Sequence, residues 1–376
     1  MAFRRSGPLK PSAGRGIVLP TQNKPKTLLT AKAYNQPSTV LTRLDRIIKP
    51  GASLEICVIR SQGGIGDVLM TLPTVRAIQE KYGGPVDYAT DFEYLDGALP
   101  AVLKGVPYIR NVIPYRDVQP QLYDAVLDLT CPCVAHEKPH APPVNRIDLF
   151  AKHAGVVLSN FQIDYYPQPE EIAAAKLFLE QDRVLGMRAY KLILVNPSSS
   201  TTRRDVPLHV FPRLLRDLML KNKDARALVF THYTDCADAK AIDWNNIPGV
   251  IQMKDYSVRE IAAFMTLCEM VICPDSALLH VAGALDKKTV SFFGPTDPRA
   301  RINHYPKAVA ISPGNGLSCF PCWYDQCKSG LLCWKRLEHN MMLGTLHSVL
   351  NDLLLSSHPD LVYGKIFSKN SSYEVL

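Results

Sequence analysis

No stretch of this chain approaches the roughly eighteen apolar residues that a membrane-spanning helix needs. No apolar run follows Arg4 and Arg5, so a secretory leader is not expected. Cysteine is scarce, ten residues in 376. With nothing secretory beside it, that usage points to a reducing compartment. Cys57, Cys268 and Cys273 sit in apolar runs and read as small buried hydrophobes. Acidic residues are nearly absent from the first fifty positions. That segment carries ten Lys and Arg against Asp45 alone, whereas the remaining 326 residues sum to −1 of the total +8. The body therefore has no basic stripe, and any affinity for a polyanion would rest on the head segment.

What is present is alternation. LEICVIR at 54–60 is a short β-branched run of the kind that forms a buried parallel strand. A glycine-rich turn, SQGGIGD at 61–67, leads into helical spacing over 67–81, and PVDYATD at 85–91 restarts the strand rhythm. Strands are expected again within 106–115 and 123–130. Strand, glycine turn, helix and strand make a βαβ unit and an α/β domain. A second series comes after it. Strands are expected at 191–197, 225–231, 250–253, 270–274 and 289–294, with helices at 168–185, 209–221, 234–243, 257–269 and 276–285. Ser257 and Glu260 have capping-box spacing. A short helix is expected over 39–49, stopped by Pro50–Gly51, and a further helix over 338–356. The division implied is a basic, Pro-containing extension at 1–50, a first Rossmann-like domain with its linker at 51–185, a second at 186–345 with a Cys-rich loop, and a C-terminal helix and tail at 346–376.

Four loops carry chemistry. Gly63, Gly64 and Gly66 permit a tight turn and close approach of a ligand to a helix start. No lysine follows them, so a Walker phosphate loop is excluded, and GxGxxG fits poorly. Asp67 has two readings: a cap for its own helix, or a carboxylate facing the cleft that takes a proton from an acceptor hydroxyl. NPSSSTTRRD at 196–205 offers the hydroxyls of Ser200, Thr201 and Thr202 and the guanidinium of Arg204, a set suited to a diphosphate or to a solvated polar loop. CPDSALLHVAGAL places Asp275 and Ser276 at a strand end and His280 one turn on. Without a G-x-S-x-G elbow a nucleophilic triad is disfavoured against a phosphate site or a capped helix with a core histidine. FFGPTDPRAR at 292–301 is a proline-stiffened loop carrying Thr296. Cys319, Cys322, Cys327 and Cys333 are spaced as a candidate structural zinc set or as thiols or a disulfide, with Cys131 and Cys133 as a looser pair.

GGIGDVLMTLPTVRAIQEKY at 63–82, CPDSALLHVAGAL with VSFFGPTDPRAR at 273–301, and SCFPCWYDQCKSGLLC at 318–333 together resemble the heptosyltransferase-like glycosyltransferases over about 55–345. The resemblance implies a GT-B fold, two Rossmann-like α/β domains facing across a cleft, and an inverting enzyme without an obligatory catalytic metal. It implies that Asp67 is the general base. It places Gly64, Gly66, Ser200, Thr201, Thr202, Arg204, Asp275, Ser276, His280 and Thr296 around a nucleotide-diphosphate-sugar donor. The sequence departs from the family in three places. Val206–Pro207 stands where a Trp-Pro step is usual, Ala277 where a Gly is usual, and 231–239 offers Asp235 or Asp238 but no Glu. The implied activity is transfer of a heptose-like or other sugar to a hydroxyl of a lipopolysaccharide core or a non-lipid acceptor. The implied setting is cytoplasmic or peripheral at the inner membrane face. The alternatives are an inactive structural or assembly protein, or a phage-type enzyme glycosylating modified DNA. The 1–50 head suits an anionic surface or a protein partner more than a nucleic acid, because Phe3 and Tyr34 are its only aromatic residues.

Overall fold

A computed structural model describes residues 54–134, 136–138, 141–181, 190–231, 242–312, 314, 316–322, 327–337 and 350, with the backbone of 40 and 41. By contact the chain divides into units 1–38 and 39–376, and both sheets belong to the second. The expected extension at 1–38, the helix over 234–241, Asp235, Asp238, the helix over 338–356 apart from position 350, and the tail beyond it lie outside the described residues.

Two parallel sheets organise the chain. The first is built from β1 (Val40–Leu41), β2 (Ile56–Arg60), β3 (Val86–Thr90), β4 (Ile109–Pro114) and β5 (Ala125–Asp128), in the order β1-β5-β2-β3-β4. The second contains β6 (Lys191–Val195), β7 (Ala225–Phe230), β8 (Val250–Met253), β9 (Met270–Pro274), β10 (Lys288–Phe292) and β11 (Ala308–Ile311), in the order β11-β10-β9-β6-β7-β8. Every strand pair is parallel. In the second sheet the chain runs outward from β6 to β8, returns to the other flank at β9 and proceeds to β11, which is the doubly wound order. The first sheet does the same around β2, with β5 on its other flank.

The apolar runs explain the layering. Leu192 and Leu194 of β6 point into one cluster while Ile193 and Val195 point into another, the two-residue period of a strand buried on both faces. Ile56 and Val58 of β2 likewise face opposite to Cys57. The helices of the first half are α1 (Ile65–Tyr82), α2 (Ala98–Val102), α3 (Arg146–Ala154) and α4 (Pro169–Gln181). Those of the second are α5 (Val210–Lys221), α6 (Val258–Thr266), α7 (Ala277–Ala284), α8 (Arg299–Ile302) and α9 (Leu332–Leu337). One apolar cluster runs without a break from α1 and α3 to α6 and α7, so the two sheets share a core where α1 meets α7. Arg259 of α6 reinforces this seam. Its guanidinium holds Glu171 of α4 in a two-pronged pair at 2.7 and 2.6 Å and donates to the Ala101 carbonyl of α2.

Three expectations are corrected. Val40–Leu41 is not helical but pairs with Val126–Leu127; the free edge of β5 satisfies its backbone groups as a turn of helix would. Beyond the strand expected to be last, β11 adds an edge from AVAI, whose four residues are too few to announce a period. α3 was also unforeseen. It is nine residues long, capped by Asn145, whose side chain accepts from Ile147 N–H, and closed by Gly155. The Ser257–Glu260 capping box is formed as expected.

Candidate active site between the two sheets

Ligands in open parallel sheets bind beyond the carboxyl ends of the strands, where neighbouring strands send their connections to opposite sides. In the first sheet that point lies between β2 and β5, and it is fed by the 61–66 loop and the segment after Asp128. In the second it lies between β6 and β9, fed by the 196–205 loop and the start of α7. The residues singled out from sequence fall at these two points.

Asp67 fills the first of its readings, the helix cap, and also meets two arginines. Its Oδ2 accepts the Gly64 N–H at 2.9 Å, the helix-capping role. Its Oδ1 takes Arg146 Nη1 of α3 and lies 3.6 Å from Arg60 Nη2 at the end of β2. Arg60 is pinned in turn by the carbonyls of Leu129 and Thr130 after β5. Arg146 continues the chain. Its Nε and Nη2 grip both oxygens of Glu137, each at 2.5 Å. Glu137 Oε1 also accepts from Arg301 Nη1 of α8 at 3.1 Å. Arg301 Nε lies 3.7 Å from Asp275 Oδ1, and Arg204 Nη1 lies 3.4 Å from Asp275 Oδ2. One line of alternating charge thus joins Asp67 of the first sheet to Arg204 of the second.

The donor-side candidates cluster around that end. Arg204 Nε donates to Thr201 Oγ1 at 2.9 Å and Nη2 to Ser200 Oγ at 2.8 Å. Thr296 Oγ1 donates to Asp275 Oδ2 at 2.9 Å. Asn196 Nδ2 donates to Ser276 Oγ at 3.3 Å. His280 is buried on α7 with Nδ1 2.6 Å from the Tyr305 hydroxyl. Gly66 meets this imidazole across the seam: a Cβ there would lie 2.4 Å from His280 Cδ2. Gly64 faces the Tyr94 hydroxyl. The side chain of Thr202 lies outside the described residues.

Charge sets the protonation states. Burial alone would raise the Asp275 carboxyl, but the Arg204 and Arg301 guanidiniums hold it well below its ordinary 3.8. Burial raises the Glu137 carboxyl, with Arg301 opposing. Burial presses the Arg146 pKa down and the Arg301 and Arg60 cations add to it; the grip on Glu137 and Asp67 keeps it the cation. His280 falls from 6.5 to about 3 through burial. Asp275 opposes that fall, and Arg301, Arg146 and Arg204 add to it, so the ring is neutral. Arg60, Arg146, Arg204 and Arg301 outnumber Asp67, Glu137 and Asp275 by one. These guanidiniums stand along the line between the two switch points, as suits an incoming anion.

The structural zinc expected at Cys319, Cys322, Cys327 and Cys333 is not supported. Among the described residues no group of three or more His, Cys, Asp or Glu side chains is assembled to hold a metal ion. The four thiols are free and border a shared pocket, and two of the sulfurs have other partners. Cys322 Sγ lies 3.9 Å from Arg203 Nη1, and Cys327 Sγ accepts the Leu331 N–H at 3.1 Å. Cys131 and Cys133 are also free. The Cys loop instead braces the donor-side loop, with Trp334 Nε1 donating to the Arg203 carbonyl at 2.9 Å.

Arg60, Glu137, Arg146 and Tyr305 escaped the sequence reading. Arg301 closes the 292–301 loop that was recognised, and Tyr305 follows it. Glu137 and Arg146 come from a Pro- and His-rich connection with no period to mark it.

This geometry is that of a two-domain α/β protein with a polyionic cleft at facing switch points. The chain belongs to glycosyltransferase family 9 (heptosyltransferase), which matches residues 134–332. Asp67 precedes the matched span. Solved structures of similar architecture include a family 9 glycosyltransferase from Veillonella parvula (16% identity, 69% of this chain and 86% of that one, TM-score 0.56). Others are E. coli ADP-heptose lipopolysaccharide heptosyltransferase II (15%, 80% and 98%, 0.57), and the iron-containing dodecameric glycosyltransferase TibC from enterotoxigenic E. coli H10407 (14%, 81% and 77%, 0.55). At these identities the likeness speaks for the fold, which is GT-B. No curated protein matches the chain.

The packing at the seam can be tested by substitution and by pH. Gly66→Ala should destabilise the protein by roughly 1–3 kcal/mol in urea unfolding, because both the helix start and His280 are fixed; in an H280A background the loss should shrink, since the colliding ring is gone. Because the folded chain refuses a proton at His280 that the unfolded chain accepts near pH 6.5, stability falls as pH drops from 6 towards 4. Relative to H280Q, wild type should lose about 1.4 kcal/mol more per pH unit across that window. Equal slopes would contradict a neutral buried His280.

Proposed function

We propose that this protein is an inverting glycosyltransferase that moves a heptose-like sugar from an ADP-linked donor to an acceptor hydroxyl, with a lipopolysaccharide core sugar as the first acceptor to test. The observation that carries the reading is the position of Arg204. Its guanidinium is braced by Ser200, Thr201 and Asp275 at one switch point and joined through Arg301, Glu137 and Arg146 to Asp67 at the other. The family match supports the transferase class. The ADP-heptose in the name of the similar E. coli heptosyltransferase II supplies the choice of donor.

In the proposed reaction the acceptor oxygen forms a bond to the anomeric carbon from the face opposite the diphosphate. The carbon–oxygen bond to the diphosphate breaks, and ADP departs with that electron pair. Asp67 takes the acceptor proton. Its Oδ1 keeps a lone pair beside Arg146, and the flanking guanidiniums hold the carboxylate in place. Arg204 and the N–H groups at the start of α7 stabilise the negative charge that develops on the leaving diphosphate. Asp275 binds no sugar directly in this scheme: Arg204, Arg301 and Thr296 surround its oxygens, so it orients the arginines. Buried polar groups of this kind fix geometry before the substrate arrives, which lowers the reorganisation needed at the transition state.

Two substitutions separate the roles. Asp67→Asn should lower turnover of ADP-heptose by about 10²-fold or more while ADP affinity, read by calorimetry, stays within about twofold. Arg204→Ala should weaken ADP binding by roughly tenfold, the cost of about one charge-assisted hydrogen bond. Undiminished turnover in D67N would remove Asp67 as the base, and unchanged ADP affinity in R204A would remove the arginine from the donor site.

A further inference from the structure

We propose that Tyr305 is a positioning residue that locks His280 in the tautomer protonated at Nε2, so that the imidazole presents an N–H donor to an anion in the cleft. The tautomer follows from the two buried side chains alone; that the anion is the donor diphosphate rests on the function proposed above.

The Tyr305 hydroxyl and His280 Nδ1 are 2.6 Å apart, their rings meeting edge-on at 5.8 Å and 80°. Both residues are buried, at 5% and 3% exposure. A phenol has one proton to donate, and a neutral imidazole has one N–H and one lone pair. Among the described residues the Tyr305 hydroxyl has no partner besides His280, and His280 Nε2 has none. If Nδ1 carried the proton, it would donate to the phenol oxygen and leave the hydroxyl proton buried with no acceptor. If the hydroxyl donates to Nδ1, the phenol proton is satisfied and the ring proton stands on Nε2, which is not among the fully buried unpartnered atoms of the described residues and can be met from outside. An orphaned buried donor is the costlier state. A doubly protonated ring is disfavoured by its setting, since Arg301, Arg146 and Arg204 all act against a further positive charge there and only Asp275 favours it.

Nε2 abuts the helix start that carries Asp67. A Cβ placed on Gly66 would lie 3.0 Å from Nε2, so that edge of the ring faces the first turn of α1, beside Asp67. The missing side chain of Gly66 lets the ring edge come up against the turn before Asp67. Tyr305 is itself wedged against Gly283, where a Cβ would approach its ring to 2.8 Å. The phenol therefore has little freedom to swing away, and Tyr305→Phe removes the hydroxyl while keeping the wedge.

The test uses the full chain labelled with ¹⁵N-histidine, with H280Q to assign the signal. In wild type, long-range ¹H–¹⁵N correlation at neutral pH should show His280 as a single species, Nδ1 unprotonated and Nε2 protonated. In Y305F the Nδ1 signal should move or broaden as the ring loses its fixed partner. ADP affinity by calorimetry should fall about two- to tenfold, because only part of the population presents the donor. A wild-type His280 protonated at Nδ1, or a Y305F spectrum identical to wild type, would overturn the assignment. An altered Y305F spectrum with unchanged ADP affinity would overturn the role of the N–H towards the anion. Wild-type protein that shows the expected tautomer yet binds no ADP would sustain the lock and refute the ADP reading instead.

Discussion

The cleft depends on Glu137. It is the acid that takes a guanidinium from each half of the protein, Arg146 of α3 on one side and Arg301 of α8 on the other. Removing one member of a buried ion pair typically costs about 3–5 kcal/mol, because the partner is left charged and unsolvated. Here the consequence extends further. Without Glu137, Arg146 would have Asp67 as its counter-ion, and Arg301 would lean on Asp275. Both carboxylates proposed to matter for catalysis would then be drawn out of place. An apolar seam between α1 and α7 holds the two halves together, and this line of charge sets how their sites face.

Burying that many ions is a poor way to gain stability. Its return is preorganisation. The arginines meet an incoming anion already in place, and burial, with Arg301, Arg146 and Arg204 adding to it, keeps His280 neutral. A neutral imidazole can donate one hydrogen bond in a direction its neighbours choose, whereas an imidazolium would donate from both nitrogens. The line of arginines, the neutral histidine and the ionised Asp275 are therefore one electrostatic arrangement.

Much of this was legible in the residues. The short β-branched runs and the glycine turn announced parallel α/β domains, because a strand buried on both faces has little option but continuous apolar composition. Asp67, Arg204, Asp275 and His280 stood out since each follows a strand with a clear signal. Glu137 and Arg146 were hidden because their contacts cross the fold: Arg146 meets an acid 79 positions away, and Arg301 meets Glu137 164 positions away. Such pairings have no local period. Tyr305 was missed for a related reason. As an aromatic residue after a helix it reads as core, and its hydroxyl acquires meaning only beside His280. Of the two readings of the cysteines, zinc or thiols, the thiols stand: spacing shows which thiols can meet, and here Cys322 and Cys327 have other partners for their sulfurs.

A single anion site shared by both halves is tested most directly by hydrogen–deuterium exchange of the full chain with and without ADP. Slowed exchange on ADP addition is predicted in three segments together: 63–68 at the start of α1, 196–205 after β6, and 275–281 at the start of α7. Protection confined to segments outside these three, or an ADP complex in which 63–68 exchanges as in the free protein, would contradict a site built jointly by the two sheets.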